Sequence, residues 1–244
     1  MRKEENCIIL ENGDALYRYD LEENLPDDWD PNYHNFEYSG SRYGFKNAIG
    51  AIFLFDKKLT AKQILSGAIN NQKEKGREIT RATITTVTVN EDIKLLDLST
   101  RIFRCSQLLS VLYELDMDVT ELELKNFQQD LPFKSIHDKL IDLYSEDPTK
   151  RMTSANEVDR FFYGMINLLG QTLTDFQNGV LFKQLLEDRQ FEGYVFWENP
   201  SSDTYCILSP SKLSNPIHDI IDVETDEELQ QLLQQDLAGR KKTT

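Results

Sequence analysis

At 244 residues the chain is long enough to bury a sizeable core, as one large domain or two small ones. Its 39% hydrophobic and 28% charged residues are an ordinary globular balance, which excludes a chain disordered throughout. The 42 acidic residues against 27 basic ones leave a formal charge of -15. That field repels phosphate backbones and excludes nucleic acid as a partner, whereas a small anionic cofactor needs only one or two well-placed arginines.

In chain order, Cys7–Leu10 and Ala15–Tyr19 are predicted strands, broken by the turn signal Asn12-Gly13-Asp14. A long polar loop follows from Glu22 to Gly40, of the length that compact domains use for function or mobility. Ile49–Phe55 is an apolar run of strand length, and Leu59–Ile69 shows helical spacing with Thr60 as the predicted N-cap. Ile79–Val89, rich in Thr, Val and Ile, is the clearest predicted strand, and Ile93–Leu98 is a further short one. From Thr100 to about Arg189 the pattern turns helical, with capping boxes at Thr120/Glu123 and Ser154/Glu157 and an apolar stripe of Phe161, Phe162, Met165, Ile166 and Leu169. A strand pair is predicted at Gly193–Trp197 and Tyr205–Leu208 around an Asn-Pro-Ser-Ser-Asp turn. Thr225 and Glu228 open a final amphipathic helix over about residues 225–238. The expectation is a single α+β domain over 1–244, elaborated by helices over about 100–189.

Cys7, Cys105 and Cys206 are scattered singly, which suits a reducing compartment and gives no metal signature. His34, His137 and His218 form no ligand pair either, and each is read as a surface or cap residue. No apolar run reaches the ~20 residues of a membrane helix or makes a secretory signal near Met1, so no membrane partner and a cytoplasmic location are expected.

Three segments draw attention together. The first is Leu16-Tyr17-Arg18-Tyr19, an arginine on a predicted strand among aromatics. The second is Gly40-Ser41-Arg42-Tyr43-Gly44-Phe45, which runs on into the apolar strand holding Phe53 and then the Thr60 helix. The third is Gly193-Tyr194-Val195-Phe196-Trp197-Glu198, followed by a turn, Tyr205 and Pro210. In this order they resemble the RES family of NAD-consuming toxins, over roughly residues 15–99 and 190–213. The resemblance implies an ADP-ribosyltransferase-like, RES-like mixed β-sheet core flanked by helices, with NAD as substrate and no metal. It implies Arg18 and Arg42 at the pyrophosphate and ribose, with Tyr43 and Trp197 shaping the pocket.

RES proteins carry a Tyr at the end of the apolar strand and a Glu on the helix about eleven positions later. Here those positions hold Phe53 and, within one residue, Gln63, and no acid occurs between Asp56 and Glu74. Splitting the nicotinamide–ribose bond passes through an oxocarbenium-like state that a carboxylate stabilises. The replacement acid expected on this reading is Glu198, where the family usually has Ser. Two classes of function stay open. One is an NAD glycohydrolase, phosphorylase or ADP-ribosyltransferase, with Arg18 and Glu198 as catalytic residues. The other is a catalytically inactive RES-like module that acts through a protein partner, such as an antitoxin, immunity protein or ADP-ribosylation target. A chance likeness of an unrelated domain is the third reading.

Overall fold

In the computed structural model the described residues are 1–4, 7–21, 25, 49–99, 142, 145–161, 176–199 and 202–240. Among them run strands β1 (Arg2–Glu4), β2 (Cys7–Leu10), β3 (Ala15–Asp20), β4 (Ile52–Leu54), β5 (Arg81–Thr88), β6 (Ile93–Asp97), β7 (Gly193–Asn199), β8 (Ser202–Ile207) and β9 (Ile217–Asp222). The helices are α1 (Lys58–Glu74), α2 (Pro148–Phe161), α3 (Phe176–Asp188) and α4 (Glu227–Arg240). The protein is α+β, with one sheet ordered β1-β2-β6-β7-β8-β4 and another ordered β3-β5-β9.

Every neighbouring pair is antiparallel except β6 with β7. Parallel neighbours cannot be joined by a hairpin and need a long crossover. That is the topological place of the segment holding α2 and α3, which lie between β6 and β7 in the chain. Its last helix is anchored to the sheet, since Phe182 of α3 meets Tyr194 of β7 edge-on with ring centroids 5.0 Å apart. The stripe from Phe161 to Leu169 has side chains outside the described residues.

Strand alternation builds the core between the two sheets. Ile8, Leu10, Ile52, Leu54, Leu95 and Val195 of the larger sheet face Leu16 and Val87 of the smaller one. Each such buried aliphatic side chain contributes ~1.5–3 kcal/mol by leaving water. On the opposite face of the smaller sheet, Ala82 and Ile84 lie under Ala61, Leu65 and Ile69 of α1 and Leu229 and Leu233 of α4. The sheets meet at one edge, where Tyr17 and Phe55 exchange two backbone hydrogen bonds of 2.8 and 2.7 Å. The Asn12-Gly13 turn is present, with Gly13 at φ 93 and its N–H donating to the Val89 carbonyl at 2.8 Å. No helix among the described residues is long and apolar enough to cross a membrane.

The helix starts differ from the predicted ones. Thr60 lies buried inside α1, which begins at Lys58 after an N-cap, Lys57, that makes no side-chain cap bond. Ser154 is likewise buried within α2; the helix opens at Asp147-Pro148, where the Asp147 carboxylate accepts the Thr149 N–H at 2.9 Å. Thr120 and Glu123 lie outside the described residues. For α4 the cap is Asp226 rather than Thr225, its Oδ1 accepting the Leu229 N–H at 2.8 Å. Two strands, β1 and β9, were not legible as elements, and β4 is shorter than the apolar run Ile49–Phe55.

Asp226 also ties α4 to α1. Lys62, 8% exposed, reaches Asp226 at 2.9 Å and Glu228 at 2.8 Å. Partial desolvation raises the Asp226 pKa, but hydrogen bonds from Lys62 and the Leu229 N–H outweigh it and hold the carboxyl below its ordinary value. A depressed acid pKa stabilises the fold at pH above its unfolded value and loses that contribution as pH falls through the folded one. Asp226→Asn is therefore expected to lower the melting temperature at pH 7 and to converge with wild type in melts taken well below about pH 4. A gap that persisted undiminished in acid would exclude this ionic origin.

Candidate functional site

On β3, Leu16, Arg18 and Asp20 share one face by alternation, and Leu16 belongs to the core between the sheets. Tyr17 and Tyr19 point the other way, towards α1. Thr85 of β5 stands directly opposite Arg18, and His218 of β9 directly opposite Thr85. The next row on the same face is Asp20, Thr83 and Ile220. The inner face of the smaller sheet is thus apolar at Leu16 and Val87 and becomes polar from Arg18 onward.

Arg18 Nε donates to the two Asp20 oxygens at 3.2 and 3.0 Å, and Nη2 donates to Oδ1 at 3.0 Å. The Arg18 side chain is 14% exposed and that of Asp20 only 2%. Thr83 and Thr85 are buried, and Thr85 Oγ1 lies 2.9 Å from His218 Nδ1. Ile220, in the second row, is 53% exposed, so the polar face opens to solvent at its β9 side. A charged pair inside a fold is costly to desolvate, and apolar residues of similar volume often serve stability as well or better. The sheet does use an apolar residue one row away, at Val87.

A second polar group gathers at the end of the larger sheet. Asp97, buried, accepts the Ser99 N–H and hydroxyl at 2.9 and 2.8 Å and pairs with Lys3 at 3.0 Å. Asp203 lies beside it. Burial first, then the charges of Asp97 and Asp56, raise the Asp203 pKa, and only a Ser99 hydrogen bond and Lys3 oppose them. An acid whose folded pKa is raised destabilises the fold once ionised. Asp203→Asn, which keeps a hydrogen-bonding group for Ser99, is expected to raise the melting temperature at pH 7 by ~2–4 °C, the effect of ~1 kcal/mol in a chain of this size. The gain should vanish in acid, and a lower melting temperature at pH 7 would show that the charge is needed. Among the described residues no group of His, Cys, Asp and Glu could hold a metal ion.

The residues expected at the site are placed as follows. Arg18 lies on the inner polar face. Phe53 alternates with the core residues Ile52 and Leu54 and stands opposite Cys206, on the outer face of the larger sheet. Gln63 is exposed on α1, which covers the outer face of the smaller sheet. The structure therefore does not bring Arg18, Phe53 and Gln63 onto one surface. Trp197 and Glu198 lie in β7, where Trp197 stands opposite Asp203 and the register shifts before Asn199; their side chains fall outside the described residues. Arg42 and Tyr43 lie outside them entirely.

Sequence reasoning missed Asp20, Thr83, Thr85 and His218. The signal for Asp20 was present, since a residue two positions after Arg18 on a strand shares its face. His218 was invisible as a site residue because β9 was not recognised as a strand.

No family model matches the chain, and none of the curated proteins matches it. A solved structure it resembles is a chain of the M. tuberculosis MbcT–MbcA toxin–antitoxin complex, at 12% identity and a TM-score of 0.41, covering 93% of this chain and 92% of that one.

Proposed function

We propose that the polar inner face of β3, β5 and β9 binds NAD and that the protein cleaves its nicotinamide–ribose bond. The observation that carries this reading is Arg18, paired with Asp20 where the inner face turns from apolar to polar, in the strand position that the RES resemblance assigns to the phosphates. Arginine presents a planar fork matched to phosphate oxygens. In the reaction the ribose C1′–N bond breaks, and nicotinamide leaves with the bonding electrons. Water, phosphate or a protein side chain then adds to C1′ and gives up its proton. Arg42 and Tyr43 complete the binding half of this proposal. Glu198, with Trp197 as a stacking surface, is its carboxylate for the oxocarbenium-like state. Phe53 and Gln63, on outer surfaces, take no part in it.

The test is nicotinamide release from NAD by the full chain. Glu198→Gln is expected to lower the rate ~10²-fold, the scale of losing one preorganised electrostatic group, while ADP-ribose binding is retained. Wild-type protein that releases no nicotinamide defeats the catalytic reading. A binding module acting through a protein partner is the second reading, favoured by the exposed Gln63 at the family's acid position. It predicts thermal stabilisation by NAD without turnover.

A further inference from the structure

We propose that the open edge of β9 is a docking site for an extended basic segment of another protein, which pairs with it and adds a strand to the smaller sheet. This edge is distinct from the polar face of the sheet, and docking there does not require NAD turnover. Among the described residues the other sheet edges are closed or guarded. β3 and β4 meet through the Tyr17–Phe55 backbone bonds. β1 is three residues long, and its Arg2 and Lys3 are ion-paired to Glu4, Glu11 and Asp97. Short, charged strands are how native sheets resist unwanted pairing. β9 ends the order β3-β5-β9, and nothing among the described residues pairs with its outer side.

β9 pairs with β5 in unbroken register over six residues and contains no Pro or Lys. The Val223 N–H donates to the Thr80 carbonyl, so alternation turns the backbone groups of Ile217, Asp219 and Ile221 towards β5. Those of His218 and Ile220 face outward. Ile217 and Ile220 are 69% and 53% exposed and lie on opposite faces, so an added strand gains an apolar neighbour on each. Charge selects the occupant. Between Lys212 and Arg240 the chain has seven acidic residues and no Lys or Arg. Lys58, Lys62 and Arg240 pair with Asp219, Asp226, Glu228 and Asp236. Asp222, Glu224 and Glu227 are exposed and make no ion pair among the described residues. A second copy of this chain, of net charge -15, meets the edge with like charge, whereas a strand bearing Lys or Arg meets it with opposite charge.

The probe is the peptide acetyl-Val-Lys-Val-Lys-Val-Lys-Val-amide, titrated calorimetrically into the full chain at low salt, with Glu in place of Lys as the control. The lysine peptide is expected to bind and the glutamate peptide is not. In wild-type protein, amide hydrogen exchange read by NMR should slow at Ile220, whose N–H acquires a partner. Ile220→Pro removes that N–H without touching a bond to β5 and should weaken the peptide about tenfold, the loss of one backbone hydrogen bond. Asp222→Asn keeps the oxygen that accepts the Glu224 N–H at 3.0 Å, and loss of the charge alone should weaken the peptide about threefold. If Ile220→Pro does not fold, Ile220→Lys sets a like charge against the peptide at the same position and should weaken it by a similar factor. No binding of the lysine peptide overturns the proposal. So does binding that leaves Ile220 exchange and both Ile220 variants unaffected, since the peptide then sits elsewhere. Sedimentation that showed a dimer dissociated by Ile220→Lys would assign the edge to a second copy and overturn the proposal too.

Discussion

Gly193→Ala is expected to prevent the protein from folding. Gly193 opens β7 at φ 154, and a Cβ there would lie 1.9 Å from the Cys206 carbonyl oxygen and 2.9 Å from Leu95 Cδ2. The Leu95 methyl belongs to a flexible side chain and can move. The Cys206 oxygen is backbone of β8, the neighbouring strand, and moving it means separating β7 from β8 in the middle of the larger sheet. The residues next to it cannot absorb that shift, because Tyr194, Val195 and Ile207 are fully buried. Single substitutions that cost more than ~4–5 kcal/mol come from a short list of causes, and overlap with a central strand is one of them. Against a total stability of ~5–15 kcal/mol, such a loss removes most or all of the folded state. Soluble yield and urea denaturation of Gly193→Ala provide the measurement. A cooperative transition within ~1 kcal/mol of wild type would show that β7 and β8 separate more easily than their packing implies.

The same glycine shows what was legible in the sequence. Gly193 followed by an aromatic strand was visible as a motif, and its cause is the close approach of β8. Segments with strong period-two or period-3.6 patterns, such as β5 and α1, were located to within a few residues. β9 was not. Ile217–Asp222 contains two Asp and one His, and four of its six residues are exposed, so it lacks the alternation that marks a half-buried strand. Its place in the sheet comes from backbone pairing with β5, which leaves no trace in composition. Missing β9 also concealed the row from Arg18 to His218, because that row exists only through the registers of three strands distant in sequence. The cap positions failed for a related reason. Thr60 and Ser154 had suitable side chains, but tertiary packing buried them inside helices that had already begun. For Phe53 and Gln63, spacing along the chain was readable, whereas the face each side chain occupies was set by Ile52, Leu54 and Ala61 entering the two cores.

Asp20→Ala is expected to destabilise the protein by ~3–5 kcal/mol, because it leaves the guanidinium of Arg18, 14% exposed, without its carboxylate. Arg18→Met removes the guanidinium that bonds a carboxylate only 2% exposed and is expected to destabilise the protein as well. The double variant Arg18→Met/Asp20→Leu removes both charges and extends the apolar surface of Leu16 and Val87 by one row. Its stability should return to within ~1–2 kcal/mol of wild type, since a buried ion pair contributes little net stability over well-packed apolar replacements. Urea denaturation of the four proteins gives the coupling energy directly. The functional consequence separates folding from binding. A double variant that is as stable as wild type but no longer binds ADP-ribose would show that the pair is kept for a ligand. If Asp20→Ala costs less than ~1 kcal/mol, Arg18 does not depend on Asp20, and the pair is too weak to organise the site. If the double variant is as unstable as the single ones, the charges are part of the structural core, and the Arg18 face loses the energetic reason for reading it as a binding surface.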